Sequence, residues 1–202
     1  MKRLSLAGIW TPRFYGLLAS QYDRFFKVFF PHGEEGYRRV LEGLASGSIL
    51  DVACGTGTLL AMAEARGMRC YGIDNSPGML DQARAKVPQG EFKLASFYEI
   101  PYADGFFDYV VETNAVSGVR IEARRVLSEM VRVCREGGEV RIADWGKPAR
   151  ETWKTRLLVE MGILIGDFPH DYVSIFTELG YEPAVEVLGV DGLYQFVSLR
   201  RA

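Results

Sequence analysis

Histidine is nearly absent from this chain: His32 and His170 are the only two. The three cysteines, Cys54, Cys70 and Cys134, have no C-x-x-C spacing and no histidine partner, so no metal site is expected. Their odd number, and an N-terminal apolar stretch broken by Thr11, Pro12 and Arg13, lead us to expect a cytoplasmic protein without a secretory leader. No apolar run approaches the ~20 residues that a membrane-spanning helix needs. Basic charge is not in excess either: 24 Lys and Arg stand against 26 Asp and Glu, which argues against a general nucleic-acid binder. The one arginine cluster, Arg120, Arg124, Arg125 and Arg132, falls on a predicted helix and reads as a solvated face. Internal repeats and low-complexity segments are also missing.

What is present is a globular composition: 202 residues, 48% hydrophobic and 25% charged, enough for one domain with a full core. Residues 1–46 are aromatic-rich, with Leu18, Tyr22, Phe25 and Phe29 recurring at helical steps. Pro31 and Gly33 break that helix, and a second is predicted over Glu34–Leu44. From residue 47 onward strand and helix patterns alternate. Strands are predicted at Ile49–Ala53, Cys70–Ile73, Glu91–Ala95, Phe107–Thr113 and Glu139–Ala143, the last entered through a Gly137-Gly138 turn. Helices are predicted at Thr58–Arg66, from Ser76-Pro77 to Lys86, and at Ile121–Cys134, Arg150–Leu164 and Tyr172–Leu179. Two late strands, Val185–Leu188 and Leu193–Leu199, form a hairpin. The expected fold class is therefore α/β: a doubly wound parallel sheet with an antiparallel edge hairpin.

Residues 49–60, ILDVACGTGTLL, read as a strand, an acidic residue, a glycine turn and a helix start. Gly55 and Gly57 let a ligand approach the backbone, and the helix from Thr58 aims its amides at the turn. A dinucleotide site would want a third glycine where Leu60 stands. Asp51 would also repel a pyrophosphate, whereas a ligand with a positive end would suit it. Asp74, ending the second strand about 20 residues on, is placed to accept the hydroxyls of an adenosine ribose.

Asp51-Val52-Ala53-Cys54-Gly55-Thr56-Gly57 resembles the first motif, D/E-x-G-x-G-x-G, of the class I S-adenosylmethionine-dependent methyltransferases, with Ala53 in place of the first glycine. Asp74, Asn75, Ser76 and Met79 are similar to the family's D-x-S-x-x-M. The stretch ASFYEIPYADGFFDYVV resembles its G-D-A-x-x-L-P-F-x-D-x-S-F-D, with Ser96 where the family has its adenine-binding Asp. Tyr22-Asp23 matches a Y-D pair of the quinone- and lipid-modifying branch.

The resemblance implies a Rossmann-like seven-stranded sheet of order 3-2-1-4-5-7-6 in one domain, 1–202, with residues 1–46 as a helical lid and 47–202 as the core. It implies S-adenosyl-L-methionine as cofactor. Tyr22, Asp51, Ala53, Gly55, Gly57 and Asp74 would border it, Asn75, Met79, Ser96 and Phe97 would line its adenine, and Asn114 would meet its methionine end.

Candidate bases for the transfer are His170, Asp144 and His32, and also Asp23. The acceptor would be bounded by Phe14, Tyr15, Phe25, Phe26 and, from residues 145–175, Leu157, Leu158, Met161, Ile163 and Phe168. That composition suggests a small apolar or aromatic molecule, although the same residues suit a core or a dimer surface. The expected partners are thus a small-molecule substrate and no nucleic acid, with peripheral lipid contact allowed, in a monomer or homodimer. Two other readings stay open: a non-catalytic cofactor-binding partner protein, and a nicotinamide oxidoreductase.

Overall fold

The computed structural model describes residues 11–29, 33–118, 121–148, 150–165, 168–189 and 192–201. His32 and Arg120 lie outside these residues, as do the side chains of Phe25 and Phe26.

Seven strands form one sheet, in the order β3-β2-β1-β4-β5-β7-β6. They are β1 (Ser48–Val52), β2 (Arg69–Asp74), β3 (Glu91–Leu94), β4 (Phe107–Thr113), β5 (Cys134–Trp145), β6 (Ala184–Gly189) and β7 (Tyr194–Arg200). The first five are parallel, and β7 runs antiparallel to both β5 and β6. This is the expected topology, with the expected edge hairpin. One expectation changes. Gly137-Gly138 does not turn the chain into a strand beginning at Glu139 but lies inside the longer β5. Cys134 already pairs with Phe107, and the next pair is Glu139 with Tyr109. The intervening residues form a bulge, which a periodicity reading takes for a strand start.

Side-chain alternation along the strands divides the core in two. On one face Leu50, Val52, Val110 and Ile142 pack against α5 (Ala123–Val133) and α7 (Tyr172–Glu178). Helix α5 buries Val126, Leu127, Met130 and Val133 at helical steps. Its arginines face outward and are engaged there: Arg124 with Glu178, Arg132 with Glu129 and Asp104, and Arg125 over the Tyr98 ring. On the other face Ile49, Val111 and Ala143 meet Val40 of α2 (Gly33–Val40), Leu59 and Leu60 of α3 (Thr58–Glu64), and Leu80 and Ala83 of α4 (Pro77–Lys86). Each large side chain so buried contributes about 1.5–3 kcal/mol.

Helix α1 (Pro12–Phe29) starts at Thr11, whose Oγ1 accepts the Phe14 amide at 3.2 Å. It lies across the start of α4, where a Cβ on Gly78 would sit 2.9 Å from Gly16 Cα. Helix α6 (Trp153–Ile165) behaves differently. Thr155 is the one buried residue among its described side chains.

Candidate functional site

The carboxyl ends of β1, β2, β4 and β5 meet at one edge of the sheet, where the strand order reverses. In open α/β sheets this crevice is where ligands bind. Asp51 lies one residue before the end of β1, buried, paired in register with Gly72 and Val111. Its Oδ1 has no hydrogen-bond partner among the described residues. Burial, and then the nearby Asp74 charge, push its carboxyl well above the usual range. The Tyr37 phenol is also pushed up, first by burial and then by acidic neighbours that include Tyr22 and the Asp51 and Asp23 carboxyls.

After β1 the backbone turns through left-handed conformations at Ala53 (φ 64°), Gly55 (φ 50°) and Gly57 (φ 77°). Glycine adopts these without strain, but Ala53 bears a Cβ penalty of about 1–2 kcal/mol. A Cβ on Gly55 would meet nothing within 4 Å, whereas one on Gly57 would sit 3.0 Å from Ala83 of α4. Gly55 thus opens a cradle, and Gly57 allows α3 and α4 to close beneath it.

Asp74 braces the turn: Oδ2 accepts the Gly55 amide and Oδ1 the Ser76 amide, both at 2.9 Å. A carboxylate offers about four acceptor positions, so two remain for ribose hydroxyls. Burial raises its pKa, and the backbone amides draw it back down. Ser76 caps α4 from below, its Oγ accepting the Met79 amide at 3.5 Å. Asn75 is exposed, whereas Met79 is 2% exposed and packs inward. Ser96 is exposed and accepts the Tyr98 amide at 3.2 Å, while Phe97 is half-buried edge-on to Tyr98.

Asn114 follows β4 in a left-handed conformation (φ 58°), its Nδ2 buried beside Tyr194 and without a close hydrogen-bond partner among the described residues. The loop behind it is held by two buried carboxylates. Glu112 Oε1 accepts the Ala115 and Val116 amides at 2.6 and 3.1 Å. Asp144 Oδ2 accepts the Val116 and Ser117 amides and the Tyr172 hydroxyl at 3.0, 2.8 and 3.1 Å, and Oδ1 accepts its neighbour's amide. Asp144 lies at the strand end as expected, and both its oxygens are engaged, Oδ2 in anchoring the loop and Oδ1 on the Trp145 amide. Burial raises both acids, Glu112 strongly; the Asp144 charge adds to the rise of Glu112, and hydrogen bonds draw Asp144 partly back down. His170 sits beside this loop, half-buried, its Nε2 without a hydrogen-bond partner among the described residues. Burial lowers its pKa.

Helix α1 closes the other side. Tyr22 is half-buried and stacks edge-on with Tyr15 at 6.0 Å. Asp23 Oδ1 accepts the Thr56 hydroxyl at 2.5 Å and the Thr58 hydroxyl at 3.3 Å, while Lys86 bonds Oδ2. Lys86 also reaches Thr56 and Thr58 at 2.8 and 2.9 Å. Asp23 therefore ties α1 to the glycine turn, a position that leaves it little freedom to act as a base. Lys86, Thr56 and Glu112 were not singled out by sequence. Glu112 alone left a signal, an acid ending the apolar strand FDYVVET.

The chemistry of these donors fits S-adenosylmethionine. Asp51 offers a buried acceptor to a cationic group, Asn114 a buried donor to a carboxylate, Asp74 the ribose acceptors and Gly55 the open space between them.

The methyltransferase-domain family model matches residues 49–138. The chain is 42% identical over 104 residues to a phosphatidylethanolamine N-methyltransferase of Cereibacter sphaeroides, covering 48% of this chain and 50% of that protein. It is 31% identical over 138 residues to a demethylmenaquinone methyltransferase of Clavibacter sepedonicus, covering 65% and 56%. The chain thus spans about half the length of these curated relatives. An uncharacterized methyltransferase of Synechocystis is 28% identical over 83% of this chain and 84% of its own. Among solved structures, a DhpI–S-adenosylhomocysteine complex superposes with a TM-score of 0.74 at 19% identity, covering 98% of each chain. A geranyl diphosphate C-methyltransferase of Streptomyces coelicolor superposes at 0.70 with 14% identity, covering 85% of this chain and 79% of that one. Motifs, strand order and relatives agree: residues 49–138 match a methyltransferase domain, and the chain has the fold of these solved methyltransferase structures.

Proposed function

We propose that the protein transfers a methyl group from S-adenosylmethionine to a small, largely apolar acceptor. The observation that carries this reading is the buried Asp51 Oδ1, without a hydrogen-bond partner among the described residues, ahead of a turn that leaves open space at Gly55. The cofactor supplies a methyl carbon made electrophilic by a positively charged sulfur. Asp51 receives the amino group of its methionine end and Asn114 the carboxylate. Asp74 receives the ribose hydroxyls. Asn75, Ser96 and the Phe97 ring border the adenine, and Met79 supports that wall from the core. Tyr22, on the helix pinned by Asp23, covers the turn as part of a lid on a single domain.

Positioning and exclusion of water do most of the work in such a displacement. Where the acceptor must lose a proton, His170 is the better base: its Nε2 is unpartnered, and a lowered pKa keeps it neutral at pH 7. Asp144 holds the loop against which His170 rests. The apolar character of the acceptor is supported by the relatives, since phosphatidylethanolamine and demethylmenaquinone both carry long apolar tails. Three buried free cysteines suit a reducing, cytoplasmic compartment.

Calorimetry with S-adenosylmethionine and S-adenosylhomocysteine tests the site. Asp74→Ala should abolish measurable binding, and unchanged affinity would remove the ribose clamp. Methyl transfer to a panel of lipid amines, quinols and phenols then tests the acceptor. Turnover confined to proteins or polyols would refute an apolar one.

A further inference from the structure

Helix α6 wears its apolar side outward. Trp153, Leu157, Met161 and Leu164 are 73%, 54%, 57% and 48% exposed. At 3.6 residues per turn these four fall within an arc of about 80° and along about 16 Å of helix. Phe168, beyond the helix, is 42% exposed. The opposite face holds buried Thr155 and half-buried Leu158, Val159 and Gly162. The helix is thus apolar on both faces, and the outward stripe is left exposed.

Two features say what covers the stripe. Its N-terminal end is basic and aromatic: Arg150 and Lys154 are exposed, and Lys154 Nζ lies 6.0 Å from the Trp153 ring centre. Indole with flanking cations is the chemistry of a headgroup boundary, with Lys stems lying along the apolar layer. Nearby Lys147 and Arg156 are paired with Asp171 and Glu151, and Glu160 edges the far side of the stripe. The second feature is width. A single four-residue stripe falls short of the roughly 1,200 Å² that a stable dimer buries, but it matches insertion about 5–10 Å into a bilayer surface.

We infer that α6 docks this protein on a lipid surface bearing anionic headgroups, with Trp153, Leu157, Met161 and Leu164 inserted and Arg150 and Lys154 at the phosphates. The segment is anchored at both ends beside the site: the Lys147 amide bonds the His170 carbonyl at 2.8 Å, and the Phe168 amide bonds the Ser117 carbonyl at 2.5 Å. Docking would therefore turn the His170 side of the crevice toward the bilayer. That part rests on the methyl-transfer reading; the docking itself does not.

The test is sedimentation of the full chain with phosphatidylcholine vesicles, with and without phosphatidylglycerol. Wild-type protein should sediment with the anionic vesicles and much less with the neutral ones. Leu157→Glu/Met161→Glu should weaken this by about tenfold or more, at unchanged melting temperature because both residues are exposed. Arg150→Glu/Lys154→Glu should lose at least about fivefold per charge on anionic vesicles. The inference is overturned if wild-type protein stays in solution with both vesicles, or if the Leu157/Met161 variant sediments as well as wild type. It is equally overturned if ultracentrifugation shows a dimer that this variant disperses, since a second copy would then own the face. Calorimetry with S-adenosylmethionine, run without vesicles on the same samples, reports separately on the cofactor site.

Discussion

Asp51→Asn should stabilise the free protein while weakening its ligand binding, two effects of opposite sign from one atom. In the free protein Asp51 is a buried carboxylate with one oxygen unpartnered, next to the charge of Asp74. Such a group costs about 1–3 kcal/mol. Asparagine has the same shape and no charge, so most of that cost disappears. In a domain of this size each kcal/mol shifts melting by about 2–4 °C, so a rise of about 3 °C or more is expected. The pH dependence has a definite direction. The folded pKa of Asp51 is raised above its unfolded value of about 3.9, so the wild type is relieved of the charge below that pH. Its stability then falls as pH rises through the folded pKa. The advantage of asparagine should be small near pH 4 and grow toward pH 7. Binding moves the other way, because a charge-assisted bond to the cofactor's amino group is worth about 1.5–3 kcal/mol, or roughly 10- to 150-fold in Kd. S-adenosylhomocysteine keeps that amino group and should lose affinity in parallel. Scanning calorimetry across pH and titration calorimetry at pH 7 measure both effects. A variant that melts lower than wild type, or binds as tightly, would refute the assignment of Asp51 as a charge awaiting a cation.

Ala53→Gly should raise stability by about 0.5–1 kcal/mol, the left-handed strain at φ 64° less the extra chain entropy of glycine; a loss in denaturant titration would show that the turn carries no strain. Asp108 is held down to about 2 by the Ser48 amide and hydroxyl and by Arg135, after burial has pushed it the other way. That stability is present above pH ~4 and is lost as pH falls toward 2. Asp108→Asn should cost about 1–2 kcal/mol at pH 7, partial exposure having been allowed for, with the difference from wild type shrinking in acid unfolding curves. Lys86→Met should release α1 from the turn and speed cofactor dissociation several-fold in stopped-flow traces, while melting stays within a few degrees; an unchanged off-rate would make the Asp23–Lys86 link structural only. Gly57→Ala should destabilise by about 1–3 kcal/mol, since its Cβ meets Ala83 at 3.0 Å in a left-handed backbone, whereas Gly55→Ala should mainly fill the cradle and lower affinity.

What could be read from sequence was what the chain decides locally. Phe107–Thr113 matches β4 at both ends because a central parallel strand is an apolar run bounded by polar turns. Asp51, Gly55, Gly57 and Asp74 stood out as candidates because a glycine turn between strand and helix has few purposes, and the structure brings them to one turn. Links across the fold left no such trace. Asp23 meets Thr56 and Lys86 across 33 and 63 residues of sequence, and nothing in a helical pattern announces that. Asp144 was rightly placed at a strand end, but whether it is a base or an anchor depends on where the amides of Val116 and Ser117 point. Helix α6 misled in another way. Its leucines and methionine suited a substrate wall, a core or a dimer surface alike, because hydrophobicity alone does not say which side faces the sheet. The electrostatics of the edge bind these pieces together. Asp51, Glu112 and Asp144 are all buried near the carboxyl ends of β1, β4 and β5, and none takes part in an ion pair among the described residues. Backbone amides answer Glu112 and Asp144 in part, but no hydrogen bond answers Asp51 Oδ1. Burial holds these carboxyls toward their neutral form, so the ligand that most favours their ionisation is one with net positive charge. At neutral pH that property favours S-adenosylmethionine, with its sulfonium, over its neutral product, and so favours binding of substrate and release of product.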